Sequence, residues 1–405
     1  MQSLKELYKV GPGPSSSHTI APHRACKLFV EEFGPFPYYE AELFGSLSLT
    51  GKGHHTDAII INSLPGHTDV KFSLDWEEEF PNGFYLTAFD DDHVEQHKWT
   101  IFSVGGGSIR IKEKHLEWND DLYTEKNWKE VYDRLQRENI TLPQYVYSYE
   151  PDLKYFLSEI VDAEIDAVKR GLNAEGHLPG KLALLRSAKA LYEQSRICGA
   201  AERDTVRLMA YAYAACEESA DGHMSVTGPT LGSCGIIAAM VYYYIKDRDF
   251  PREQVVDALA VGGVFGNVIK TNATISGAVG GCQAEVGAAV SMAAAAIAYL
   301  EGETIEQIEY AAEIGMEHNL GLTCDPVLGY VMIPCIERNG MGILRARDAA
   351  LLSRHMSKIK DHVITFDMVV HTMNETGEMI PIELKETSEG GLAKEYLSVY
   401  DVDSH

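Results

Sequence analysis

Three cysteines in the last third of the chain, Cys282, Cys324 and Cys335, stand on loops punctuated by glycine or proline. Cys282 precedes the Ala-rich run QAEVGAAVSMAAAAIAYL, so its thiol is expected near a helix N-terminus. Backbone N–H groups and the helix dipole favour a thiolate there. Pro326 and Pro334 keep the Cys324–Cys335 segment from being one continuous helix. Three thiolates brought together on such loops can hold a metal ion or an iron–sulfur cluster. A cubane cluster normally takes four cysteines, so three leave one iron open to substrate. The alternative is that these are free cysteines packing as small hydrophobes. No C-x-x-C pair or short zinc-module spacing is present, and spacing alone leaves both readings open.

Other stretches carry groups suited to acid–base work or anion binding. GPSSSHT supplies Ser15, Ser16, Ser17, His18 and Thr19. It reads either as a helix N-cap loop or as a carboxylate receptor, with His18 as acid or base. TGKGHHTD places Lys52, His54 and His55 on a loop whose glycines allow close approach. Histidine suits proton transfer near neutral pH, although an exposed loop would show the same residues. In DGHMSVTGPTLGSCG, Thr227, Thr230 and the backbone amides can hold an anion, and Cys234 is expected to pack in the following helix. Lys270, Asn272 and Ser276 lie close in sequence to Cys282. SVGGGSI lacks the spaced glycines of a dinucleotide fingerprint and reads as a turn. A phosphate loop and a G-x-S-x-G elbow are both absent.

The elements that must position these groups change character near residue 150. Residues 1–150 read as an α/β domain. A helix begins near Thr19, and alternation in the second half of YYEAELFGSLSLT suggests a strand. GKGHHTDAIII turns into a short helix, and segments 68–74, 84–90 and 98–104 look like strands of an antiparallel sheet. Residues 151–405 read as an all-α domain. Its helices are expected near 151–172, 179–197, 202–219, 232–247, 252–269, 284–301, 303–317 and 343–358. The fold class is therefore α+β.

At 405 residues and 45% hydrophobic content, two domains with sizeable cores are expected. The net charge of −25 disfavours nucleic acid and anionic membrane as partners. The most apolar run, Val286 to Leu300, reads as too short for a membrane span, and the N-terminus lacks an apolar signal core. Seven cysteines make no disulfide framework, so a reducing cytoplasm is expected.

Taken together, the chain resembles the iron–sulfur L-serine dehydratases (L-serine ammonia-lyases). The match is carried by GPSSSHT, GSLSLTGKGH, SVGGGSI, NATISGAVGGCQAEVG, EHNLGLTCDP, PCIERN and KETSEGGLA, in order from residue 1 to about 394. The resemblance implies an N-terminal domain like the allosteric substrate-binding domain of some phosphoglycerate dehydrogenases. It also implies a C-terminal helical domain holding a [4Fe–4S] cluster on Cys282, Cys324 and Cys335, no pyridoxal phosphate, and a homodimer. A base would remove the α-proton, the hydroxyl would leave on the open iron, and the enamine would become pyruvate and ammonia. His54 matches the histidine of the family's T-G-K-G-H and is the expected base, with His18 as second choice or partner. Ser15, Ser16, Ser17 and Thr19 would orient the carboxylate, Thr230 and Asn272 would lie near the cluster, and Lys52 and Thr227 would also contact substrate.

The sequence departs from the family at two places. Leu231 stands where the family's T-A-P-T-N-G has asparagine, removing a donor and an acceptor. No cysteine follows Cys335, so the tail-cysteine mode of filling the site seen in some members is not expected. Three alternatives follow: a dehydratase of another small β-hydroxy acid or amino acid, a non-catalytic cluster-bearing paralogue or sensor, and a zinc hydrolase.

Overall fold

The computed structural model describes residues 1–74, 78, 80–114 and 121–400. Part of the charged segment before residue 150 and the last five residues lie outside the described residues. The N-terminal part is built on strands β2 (Tyr38–Gly45), β3 (His67–Phe72), β4 (Asn82–Phe89), β5 (Glu95–Gly105) and β6 (Ser108–Ile111), after a short β1 (Val10–Pro12). Their order is β3-β2-β4-β5-β6. The sheet is mixed, which corrects the antiparallel expectation: β2 and β3 run parallel, and the other pairs are antiparallel. The reason is the connection, because helices α2 (Ser46–Thr50) and α3 (Thr56–Ser63) form a crossover between β2 and β3.

Helix α1 (Ala21–Phe33) packs with α3 on this sheet, sharing a core of Ala25, Cys26, Phe29, Ile60, Leu86, Trp99 and Ile101. Tyr39, Ala41 and Leu43 point into the same core, so the period-2 signal belongs to YYEAELFG, and SLSLT is helix rather than strand. Gly45 causes the switch. Its φ of 59° turns the chain, and a side chain there would strike the Pro81 carbonyl. Thr50 then returns its hydroxyl to the Ser46 carbonyl at 2.8 Å, closing the short helix.

The second part is helical. It begins with α4 (Trp128–Glu138), α5 (Leu142–Tyr149), α6 (Leu153–Asn173), α7 (Ala188–Ile197) and α8 (Ala200–Ala220). Then come α9 (Cys234–Lys246), α10 (Arg252–Asn272), α11 (Gly277–Gly280), α12 (Ala288–Leu300) and α13 (Ile305–Glu317). The chain closes with α14 (Cys335–Met356), α15 (Phe366–Met379) and α16 (Gly391–Val399). It is not wholly α, because β7 (Met224–Val226) pairs antiparallel with β1. The helix expected at 179–197 starts only at Ala188, after Pro179 and a Gly180 at φ 95°. The one expected at 343–358 starts earlier, at Cys335.

Helix α12 is buried on nearly every side, which is why it is apolar all round. Gln283–Leu300 is long and apolar enough to cross a membrane by length and composition, contrary to the sequence reading, yet 89% of that window is buried inside the protein. The helical core also takes in Leu4, Leu7, Tyr8, Tyr123, Trp128 and Tyr145. The first residues and helices α4 and α5 therefore pack with the helical part. Phe265 lies at this junction, fully buried, 4.6 Å from Trp128 and 5.0 Å from Phe366 between ring centroids. Phe265→Ala is expected to cost about 3–5 kcal/mol of stability, measured by chemical denaturation.

Candidate active site

The site is assembled from two clusters, each begun by a single π-type turn: Ser16–Ile20 before α1, and Gln283–Gly287 before α12. Such turns recur at functional sites because they re-aim side chains within a helix. The first turn buries His18 completely. Its Nε2 faces the Ser46 carbonyl at 3.2 Å and the Thr50 hydroxyl at 2.8 Å. A carbonyl can only accept, and the Thr50 hydroxyl already donates to it, so Nε2 carries the proton. Nδ1 then holds the lone pair and accepts from Ser17 at 2.9 Å or Ser15 at 3.1 Å.

His54 follows α2 on the Gly51–Gly53 loop, with its ring centroid 4.1 Å from that of His18. It too is fully buried, and neither ring nitrogen has a hydrogen-bond partner among the described residues. Burial, with the neighbouring His18, holds its pKa well below the ordinary imidazole value. Burial also pushes His18 down to about 4. Both rings are neutral at physiological pH.

The second cluster gathers two of the three thiols, Cys282 and Cys324, with a carboxylate, while Cys335 lies outside that close group. One ligand atom from each of Cys282, Glu285 and Cys324 lies within 4.8 Å of the other two. Cys282 is pushed down to about 6, first by its hydrogen bond with Cys324 and then, against burial, by the Arg338 guanidinium. Cys324 is raised well above the usual thiol range by the same hydrogen bond, with burial adding to it. Cys335, at the start of α14, is raised by burial and then by Cys282. Arg338 is fixed beneath them by the Thr323 carbonyl at 2.5 Å and by Asp325 at 3.5 Å. Burial, then Glu386 and Cys282, raises the Glu285 carboxyl, to which the Thr230 side chain is hydrogen-bonded.

Glu386 joins the clusters. Its N–H donates to the Cys324 carbonyl at 2.7 Å, and its own carbonyl accepts from the Ser46 hydroxyl at 2.8 Å. Its carboxylate lies 3.7 Å from His18 Nδ1. Burial and then Cys282 push its pKa up to about 8. A continuous run of hydrogen bonds thus links the thiol loop to His18 across the two parts of the molecule.

The other residues expected at the site divide. Ser15 and Ser17 serve His18, while the Ser16 hydroxyl accepts from the Leu231 N–H at 3.5 Å. Thr19 donates to the Pro12 carbonyl at 2.7 Å, and Thr227 donates to the Leu7 carbonyl at 2.5 Å, so both fasten backbone. Lys52 is exposed, its ammonium over the Phe72 ring at 5.3 Å. Asn272 is exposed and donates to the Lys126 and Val268 carbonyls at 2.7 and 2.9 Å. Neither of these joins the histidines or the thiols. The Leu231 side chain is buried in an apolar cluster with Ile20, Cys234, Met332 and Ile336.

Sequence reasoning missed Glu285, Arg338 and Glu386 as site residues. All three lie inside motifs that carried the family resemblance, QAEVG, PCIERN and KETSEGG. The signal available was a charged side chain among glycines or beside a cysteine. Glu386 also adopts φ 60°, which no sequence rule anticipates for glutamate.

The family model described as the serine dehydratase beta chain matches residues 3–78, and the one described as the alpha chain matches residues 112–393. L-serine dehydratase 2 of Escherichia coli K12 is 36% identical, with 97% of this chain and 98% of the relative covered. L-serine dehydratase of Haemophilus influenzae Rd is 34% identical, covering 97% and 99%. L-serine dehydratase of Streptomyces coelicolor is 36% identical, covering 96% and 98%. The chain belongs to the serine dehydratase family and carries both chain types on one polypeptide.

Proposed function

We propose that this protein converts L-serine to pyruvate and ammonia, using a [4Fe–4S] cluster held by Cys282, Cys324 and Cys335 and no pyridoxal phosphate. The observation that carries the reading is Glu386, whose backbone is tied to Cys324 and whose carboxylate adjoins His18. It ties His18, the partner of the proposed base His54, to the loop of a proposed cluster ligand. The residues fit the group: three buried thiols share Arg338 as a neighbour, and one is already favoured as thiolate. Cysteine thiolates are the ordinary cluster ligands.

When bound, the cluster supplies a Lewis-acidic iron for the departing hydroxyl. His54 accepts the α-proton, because it is neutral and its nitrogens are uncommitted. His18, locked in one tautomer by Ser46 and Thr50, packs against His54 and orients it. Ser16, beside the Leu231 N–H, and Thr230, hydrogen-bonded to Glu285, supply hydroxyls for a substrate carboxylate. Loss of the proton and the hydroxyl leaves an enamine, which tautomerises and hydrolyses to pyruvate and ammonia. The L-serine dehydratases among the relatives support serine over a different hydroxy acid, and Leu231, packed in an apolar cluster, is given no part in binding it. Seven free cysteines support a reducing cytoplasm, and exposed Leu392, Leu397 and Val399 on α16 support a homodimer.

Anaerobic reconstitution followed by a pyruvate assay tests this reading. A chain that binds four irons and sulfide but turns over no serine would overturn it. The pH profile provides a second check. A base works when unprotonated, and His54 takes up its proton well below the ordinary imidazole pKa. The acid limb of kcat/KM is therefore expected well below the free-imidazole value of about 6.5, the direction in which burial moves His54.

A further inference from the structure

We infer that His18, His54 and Glu386 form a second metal site, for a divalent ion of the zinc class, distinct from the three thiols. Proton transfer to His54 uses one ring nitrogen and assigns no task to the Glu386 carboxylate. The three residues are buried, and one ligand atom from each lies within 4.8 Å of the others. His18 Nδ1 and the nearer Glu386 oxygen are already 3.7 Å apart. Donors on a tetrahedral zinc, bonded at about 2.0–2.1 Å, stand roughly 3.3 Å from one another. A closure on the order of 1 Å, within reach of side-chain torsions, completes the site.

Three further features favour the metal. Nδ1 of His18 lies 3.7 Å from the carboxylate and carries the lone pair, because Nε2–H is spent on Ser46 and Thr50; a metal would take that lone pair from the Ser15 and Ser17 hydroxyls, which can rotate away. That outer pair does what second-shell partners do in histidine metal sites, fixing tautomer and ring plane. His54 is a fully buried imidazole with both nitrogens unpartnered among the described residues, a costly arrangement that a metal bond relieves. Two histidines and a carboxylate also leave a fourth position open, the donor set of catalytic rather than structural zinc. The consequence for turnover rests on the reading of His54 as base. Zinc takes the lone pair that the α-proton needs, so it inhibits in competition with serine.

The test uses the anaerobic holoenzyme, whose cluster keeps the thiols filled. Equilibrium dialysis against Zn²⁺ is expected to load one zinc per chain. Zinc X-ray absorption should show nitrogen and oxygen neighbours at about 2.0–2.1 Å and no sulfur near about 2.3 Å. His54→Ala and Glu386→Gln should each weaken binding by roughly 100-fold, the upper range for losing even an outer-shell partner. Zinc bound through sulfur, zinc retained unchanged in both variants, or no zinc bound would overturn the inference. If a variant does not fold, the wild-type absorption spectrum decides alone. Iron, sulfide and pyruvate measured on the same sample report separately on the proposed activity. Zinc on nitrogen and oxygen in a chain that does not turn over serine would leave the site standing and remove only its inhibitory role.

Discussion

His54→Ala lowers kcat by about 10²–10⁴-fold and leaves iron content unchanged, the range expected when a positioned general base is removed. What the ring does and does not touch sets this outcome. Its nitrogens make no hydrogen bond to the described residues, so the substitution breaks no polar network. It stacks at a tilt of 40° on His18, whose own partners Ser15, Ser17, Ser46 and Thr50 are unaffected. The cysteine loops lie on other segments and keep their geometry. Kinetics alongside iron analysis therefore separate the two roles. A fall in kcat with full iron marks a base, whereas iron lost in parallel would make His54 a structural support.

Cys282→Ser should remove both the iron and the activity, by more than roughly 100-fold, a loss that outer-shell partners alone can reach in metal sites. Cys282 is the thiol held lowest of the three, by Cys324 and Arg338. A serine hydroxyl at that place is a far poorer anion and a poor iron ligand. Arg338 would also lose its hydrogen-bonded sulfur and keep Asp325 as an anionic partner. Cys26 supplies the control. It is fully buried in the sheet core, burial alone raises its pKa, and it lies on α1 among Ala25, Phe29 and Ile60. Cys26→Ala should cost some stability and no iron. Iron and acid-labile sulfide assays on the two proteins check the contrast, and equal loss in both would refute a dedicated role for Cys282.

Much of this architecture was legible in the residues themselves. The long helical runs after residue 150 and the glycine turn of SVGGGSI follow from local periodicity and from φ values that only some residues tolerate. So does the placement of the cysteines and histidines on breaks between elements. A run such as QAEVGAAVSMAAAAIAYL was legible as helix but not as a core helix, because periodicity cannot say whether an apolar surface meets protein or lipid. SLSLT alternates like a strand, yet Gly45 turns it into a helix that delivers Thr50 to His18. Lys52 and Asn272 are near the right motifs in sequence but are exposed, with Phe72 and with the Lys126 and Val268 carbonyls as their neighbours.

By itself, the sequence determined the family, the two-part α+β plan and the residue types from which a site can be made. Those properties reside in composition, order and short-range pattern. Only the tertiary structure decided that Glu386 joins the thiols to the histidines, that Arg338 lies under Cys282, and that His18 carries its proton on Nε2. Each of these depends on segments tens to hundreds of positions apart meeting in a buried, poorly solvated space. Hydrogen-bond partners and proton positions there are set by the fold, not by the residue next along the chain.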